Sequence, residues 1–584
     1  MWFPDLSDPG ISHETAFVLL AWAELFGEHT PNTYAPRLHD VISIAGELAV
    51  VARQAETNGK WLYHLHPIIE ELQAAASVDP VLSRFYPQQQ YAILTLEKNV
   101  SAARARHFAE VIEAQTQDYE ARVFENFTES VGLLPKQKEK AFDAVRRLAT
   151  RAVQRGLGRE ELRGSVNKEM LRLSSQEAAA TLLGNLERQQ REWTCIVGIE
   201  GESSDVEALL NSVGFNALPN RQKPLGEIGK TFLEKTARTF HGVCRVEAQS
   251  SMEAVQFTLN SLRLVLDAAN FAHRSAVFKI APFVYLESNG AKQQIVNLEA
   301  GADAGIEPQH AATEHTVDLQ RAGVLAKLPQ RILTTLEQHS VAYASTDPKV
   351  RFVNLWVALE TLVGHEPEGK IIDHVNRRVT PVIIHRRVNK IIKYAAICLH
   401  RFGFCDKVPD ATGWFKKSSK LRVRADELLL ALAGAAGTAV ADELAKITVP
   451  HPLLCNRLYQ IHKVVFDPVE LGKELVASSQ RSQWQLFRIY RARNLLVHTG
   501  ETVPLLSKLS ADLEYYYSLT LSRILHDFER YENWSIEKSF EHRKQMFDFL
   551  SHKLRTKDSQ ITVGDVLEHD SGKLGRHLVW ESAL

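Results

Sequence analysis

Residues Ser482–Gly500, SQWQLFRIYRARNLLVHTG, decide how this chain is read. Trp484, Leu486, Phe487 and Tyr490 recur at spacings that give a helix a broad buried side, and Gly500 suits the left-handed residue that closes a helix C-terminus. Within this apolar stretch stand a guanidinium, Arg493, and an imidazole, His498. Cations near the last turn face unpaired carbonyls and the negative end of the macrodipole, so the position is electrostatically favourable. Five residues at about 100° each leave the two side chains about 140° apart on a straight helix. Either the helix ends or loosens before His498, or a second copy of the chain supplies the complementary residue. An Arg-x4-His string says little by itself in a chain with 23 histidines. Its surroundings supply the specificity.

Upstream, RFVNLWVALETLVG (Arg351–Gly364) sets Phe352, Leu355, Trp356, Leu359, Leu362 and Val363 in helical register, with Glu360 at the margin of the stripe. Glu360 is expected to be structural, pairing with a basic group near the site. Downstream, Val503–Tyr531 has Pro504 in a helix-start position and repeats Leu506, Leu509, Leu513, Tyr516, Ile524 and Phe528 down one side. Tyr515, Tyr516 and Tyr517 are expected in core and interface. Three long amphipathic helices around the pair make an α-helical bundle.

With 584 residues the chain exceeds one core, and three or four domains are expected. Residues 1–190 read as amphipathic helices, for example QKEKAFDAVRRLATRAVQRG. The texture changes at WTCIVGIEG (Trp193–Gly201), and strand candidates alternate with helices such as SMEAVQFTLNSLRLVLDAANFA, so 191–330 reads as a small α/β domain. Asp347 and Pro348 stop one element and start the next; helical periodicity then dominates a third unit, 331–545, with an insertion at about 366–480. Residues 546–584 read as a polar tail. The fold class is mainly α.

Several functions lack support. A net charge of -1 argues against a globally basic nucleic-acid coat, so any polyanion site is local. Five scattered cysteines without a CxxC pair fit a reducing compartment and core positions, and no apolar run reaches bilayer length; a cytoplasmic protein with no membrane contact is expected. PLGEIGKT (Pro224–Thr231) lacks the first glycine of a phosphate-binding loop, which leaves Lys230 as a solvated helix residue. His310 with His315, and His365 with His374, lack metal-ligand spacing and read as surface or capping residues; no nucleophile motif is present. No metal or cofactor is expected.

RFVNLWVALETLVG, then FRIYRARNLLVHTG, then a tyrosine-rich helix together resemble the HEPN superfamily, and their order resembles the large ApeA-like proteins of bacterial antiphage (abortive infection) systems. The resemblance covers about 331–531 and says little about the first 190 residues. The family motif falls on Arg493, Asn494 and His498; the stretch between the framing helices is longer than in short members. The resemblance implies a metal-independent endoribonuclease whose motifs meet in a homodimer or higher homo-oligomer, restrained until a phage-derived trigger is sensed. The chemistry fits these residue types: attack by a ribose 2′-hydroxyl needs a proton acceptor, a proton donor and stabilisation of phosphorane charge. His498 is the acid or base, Arg493 a planar fork for phosphate oxygens, and Asn494 orients either or holds a phosphate oxygen, with Glu360 and Tyr490 in support.

The inserted segment points to RNA separately. Lys370–Arg424 holds 14 Lys and Arg against three Asp, a local excess of +11. Arg377, Arg378, Arg386, Arg387, Lys390, Lys416 and Lys417 are the candidate phosphate contacts, with Phe402, Phe404, Trp414 and Phe415 interleaved for stacking. The competing readings are a basic helix surface over an apolar side, a non-catalytic HEPN scaffold that binds nucleic acid or a nucleotide, and an adaptor for an acidic protein.

Overall fold

A computed structural model of the chain describes residues 10–26, 39–186 apart from 156 and 158, 191–200, 215–217, 226–248 apart from 238, 250–272, 279–288, 293–297, 328–365 apart from 346, 369–404, 428–432 apart from 430, 437–500 apart from 499, 503, 506–531 and 534–555. These residues are mainly helical, with one small antiparallel sheet.

The N-terminal helices are α1 (His13–Leu25), α2 (Val41–Thr57), α3 (Leu65–Ser77), α4 (Pro80–Phe85), α5 (Pro87–Leu94), α6 (Ala102–Gln115), α7 (Tyr119–Gly132), α8 (Lys138–Gln154), α9 (Arg159–Gly164) and α10 (Ser175–Leu186). Capping fixes several starts: Asp40 and Ser43 form a reciprocal box on α2, and Asp79 accepts from Val81 N and Leu82 N at 2.8 and 3.2 Å on α4. Helix α1 is apolar on every side from Ala16 to Ala23 and is buried accordingly, with buried Glu24 beyond that run accepting from Arg457 Nη2 at 3.0 Å. It shares one core with α8, α9 and α10, whereas α2 to α6 surround a second. Helix α7 belongs to both, giving Phe127 and Val131 to the first and Tyr119 and Val123 to the second.

The sheet has strands β1 (Arg191–Glu200), β2 (Asn216–Ala217), β3 (Phe240–Ala248), β4 (Lys279–Ser288) and β5 (Gln293–Asn297) in the order β2-β3-β1-β4-β5. Helices α11 (Glu227–Lys235) and α12 (Ser251–Ala272) cover its two faces. Every neighbouring pair is antiparallel, which corrects the α/β expectation. Strands β3 and β4 do run parallel with α12 as their crossover, but β1 is inserted between them, a split β-α-β arrangement that local strand and helix alternation cannot reveal. At the β1 irregularity, a Cβ on Gly198 would lie 2.4 Å from Thr239 Oγ1, so only glycine permits this approach. Residues 201–214 and 298–327, including the helix expected at SSDVEALLNSVG and both His310 and His315, lie outside the described residues.

The C-terminal helices are α13 (Gln330–Ala344), α14 (Pro348–Val363), α15 (Ile371–Arg401), α16 (Gly437–Thr448), α17 (Pro452–Phe466), α18 (Pro468–His498), α19 (Leu506–Arg530) and α20 (Ile536–Arg555). Asp347 caps α14 as expected, accepting from Lys349 N at 2.7 Å ahead of Pro348. The bundle core joins Phe352, Trp356 and Leu359 of α14, Leu486, Ile489 and Ala492 of α18, and Leu513 and Tyr517 of α19. The segment expected as an insertion supplies a further wall, because Val375, Val379, Val382 and Ile383 of α15 enter this same core. A second core lies at the other ends of α15 and α18, around Leu399 and Leu471, so these two helices run antiparallel. Helix α20 continues past residue 546, where a tail was expected, and is pinned to α19 by buried Arg543 donating to Asp527. Residues 556–584 lie outside the described residues.

Candidate functional site

Helix α18 is 31 residues long and unbroken through His498, so of the two alternatives a helix that ends or loosens before the histidine is not the one found. Gly500 follows at φ +68°, the left-handed residue that the sequence asked for. Arg493 and His498 therefore stand about 140° apart on one continuous helix.

Three arginines near this end have different surroundings. Arg488 is 6% exposed and donates Nε to Glu47 at 2.8 Å, Nη2 to Glu71 at 2.6 Å and Nη1 to Gln485 at 2.9 Å. Arg491, 3% exposed, donates to the other oxygen of Glu47. Both are thus held by acids of α2 and α3. Arg493 is half-buried and donates Nη1 to Asn494 Oδ1 at 3.1 Å, while its Nε is buried with no hydrogen-bond partner. Among the described residues it has no carboxylate partner. Asn494 is 9% exposed, and its engaged carbonyl aims the guanidinium. His498 is exposed at the helix end, beside Val497 at 47% exposure.

Glu360 accepts from Trp356 Nε1 at 2.8 Å, so its described partner is an indole and not the basic group expected. That indole packs on Tyr490 at 5.4 Å between centroids, and Tyr490 meets His64 at 5.8 Å. Tyr63 completes the cluster: burial, then neighbouring Tyr490, pushes its phenol up, and Lys370 Nζ lies 3.5 Å over its ring. Burial, reinforced by Arg491 and Lys370, holds the His64 imidazole down to about 2. Tyr490 therefore links the bundle core to the N-terminal unit and supports the turn before Arg493.

A deeper polar cluster lies behind Arg488. Burial lowers Lys508 to about 8 against the opposing pull of Asp512, and burial with Arg488 nearby lowers His39 well below the usual histidine range. Gln485 donates to Asp512 at 2.8 Å, tying α18 to α19. Sequence reasoning did not find Glu47, Glu71, His39, Tyr63, His64 or Lys508. Their distance along the chain from Arg493 gives no local signal.

The candidate RNA-contacting residues are divided. Arg377 is exposed on α15, but Arg378 donates Nη1 to Val363 O at 2.6 Å and lies 5.2 Å from the Phe540 ring centroid, so it closes the end of α14 instead of standing in solvent. The side chains of Arg386, Arg387 and Lys390, and all of Lys416 and Lys417, lie outside the described residues. Tyr516 and Tyr517 are core, Tyr517 donating to Thr335 O at 3.1 Å, and Tyr515 is half-buried. His374 is 3% exposed, which corrects its reading as a surface or capping residue, whereas His365 is exposed. Cys195, Cys244 and Cys398 are buried, as expected of core cysteines. Among the described residues no cluster of His, Cys, Asp and Glu is arranged to hold a metal, and no helix is long and apolar enough to cross a membrane. Compared with models of protein families, with curated proteins and with solved structures, the chain matches none.

Proposed function

We propose that the chain is a metal-independent endoribonuclease of the HEPN type, acting as an antiphage effector or toxin from the bundle of α14, α15, α18 and α19. The observation that carries this reading is the difference between Arg493 and its neighbours: Arg488 and Arg491 are neutralised by carboxylates, whereas Arg493 keeps an unpartnered Nε and an orienting amide, five residues before an exposed histidine on the same helix. A half-buried guanidinium without a counter-ion among the described residues is suited to an anion, and a phosphodiester presents the matching oxygens.

In the proposed reaction the ribose 2′-hydroxyl gives its proton to an imidazole, its oxygen attacks phosphorus, and the 5′-oxygen leaves with a proton returned from an imidazole. The products are a 2′,3′-cyclic phosphate and a free 5′-hydroxyl. Arg493 holds the non-bridging oxygens as negative charge grows, and Asn494 keeps its fork aimed. Since α18 is unbroken through His498, a single copy points the two groups apart, which favours a cleft shared by two copies. Val497 supports that geometry, because it lies one turn past Arg493 on nearly the same side and is 47% exposed, a surface that a second copy can cover.

The test is cleavage of total RNA by purified full-length protein with a chelator present, alongside Arg493→Ala and His498→Ala. Cyclic-phosphate ends that vanish in both variants are expected. Equal cleavage by unaltered and altered protein sinks the reading.

A further inference from the structure

Arg488, Arg491, Leu495 and His498 fall within about 80° of one another around α18, at about 100° per residue. This is the side on which the N-terminal unit lies. Glu47 of α2 and Glu71 of α3 take the two arginines, Leu495 packs on the core of α2 to α6, and His498 emerges past that contact.

The contact is incompletely satisfied. Arg491 Nε and Nη1 and Lys508 Nζ are all buried without a hydrogen-bond partner, although Arg491 is 3% and Lys508 8% exposed. Buried donors left unmade carry their full desolvation cost, most of all on charged groups, which opposes permanent docking. The two acids retain partial access to solvent, at 19% and 13% for Glu47 and Glu71. A carboxylate and a phosphate present the same pair of acceptor oxygens to a guanidinium fork.

We propose, on the basis of the ribonuclease reading, that Arg488 and Arg491 form a second phosphate-binding site that guides RNA toward His498. In the closed state Glu47 and Glu71 occupy it as carboxylate stand-ins for phosphate. The N-terminal unit and the RNA strand compete for the same stripe of α18, and the unpartnered donors of Arg491 and Lys508 are the groups that gain most from the exchange. About 15 Å of helix separates Arg488 from His498, long enough for several phosphates of an extended strand to pass along it.

The test uses the full chain and a fluorescein-labelled, fully 2′-O-methylated single-stranded RNA, which cannot be cleaved because its nucleophile is blocked. The double variant Glu47→Gln and Glu71→Gln, shown by circular dichroism to be folded, is expected to bind at least tenfold tighter than the unaltered chain. Its salt dependence should steepen by about 1.4 in log–log slope, at about 0.7 for each added phosphate contact. Adding Arg488→Gln and Arg491→Gln should abolish the gain. Unchanged or weaker binding by the folded double variant overturns the proposal. Hydrogen exchange on the unaltered chain decides the matter if the variant does not fold: this RNA should speed exchange in α2 and α3, and unchanged or slower exchange there refutes competition. Absence of cleavage of unmethylated RNA, with the binding gain intact, refutes the ribonuclease reading and leaves the second site standing.

Discussion

Arg493→Ala and Arg543→Ala should have opposite effects. Arg493 contributes one hydrogen bond, to Asn494, and buries an Nε that has no partner. Losing the bond costs about 1 kcal/mol, and removing the unsatisfied Nε offsets part of that. The net change in stability should stay within about 1 kcal/mol, a shift of roughly 2–4 °C at most for a domain of this size. Arg543, 5% exposed, faces Asp527, which is 0% exposed. Its removal leaves a buried carboxylate with Ser539 as its remaining side-chain partner among the described residues, and costs about 3–5 kcal/mol. In activity the order reverses. Deleting a donor that stabilises developing phosphoryl charge lowers turnover by about 100- to 1000-fold, whereas Arg543→Ala should keep its specific activity below its own melting temperature. Differential scanning fluorimetry paired with cleavage of a labelled RNA measures both axes. If Arg493→Ala melts as early as Arg543→Ala, or cleaves at the unaltered rate, the distinction between a structural and a functional arginine is wrong.

Acidification should destabilise the protein through His64 and His39. Both imidazoles are held below the ordinary value by burial, so the unfolded chain binds more protons than the folded one as pH falls below about 6.5. Melting temperature should therefore fall between pH 7 and pH 5, and His64→Phe should flatten that slope; an equal slope in the variant counts against the assignment. Gly198→Ala should disturb the sheet, since its Cβ would meet Thr239 Oγ1 at 2.4 Å and Ala281 Cβ at 3.0 Å. The expected loss is about 1–3 kcal/mol by overpacking, with chemical denaturation as the readout. No change would mean that Thr239 and Ala281 give way more easily than their contacts with β1 suggest.

Elements whose signals are local were legible in the sequence. The stripes of α14 and α19, the Asp347 cap and the Gly500 terminus all lie within one or two turns of the residues that announce them. Arg493, Asn494 and His498 lie within five residues of one another on α18, so a motif reading could single them out. The long strands of the sheet were legible but their pairing was not, because partners are remote: Cys195 faces Cys244 across β1 and β3, and no short window contains both. Helix α15 was placed in an insertion because a long stretch separates the two framing helices; a basic surface over an apolar side was one reading of it, and Val375, Val379 and Val382 do enter the core. Helix α20 was cut at residue 546 because the Arg543–Asp527 pair that fastens it is a tertiary contact. The acids on Arg488 lie 441 and 417 positions away along the chain, beyond any motif.

Helix α7 has a mechanical consequence for the N-terminal region. Because Tyr119 and Val123 anchor one end in one core while Phe127 and Val131 anchor the other end in the next, it acts as an axle common to both halves. Heating either half loosens the bearing of the other. These helices should accordingly melt in a single calorimetric peak, and severing the axle with a proline at Glu125 should split that peak in two.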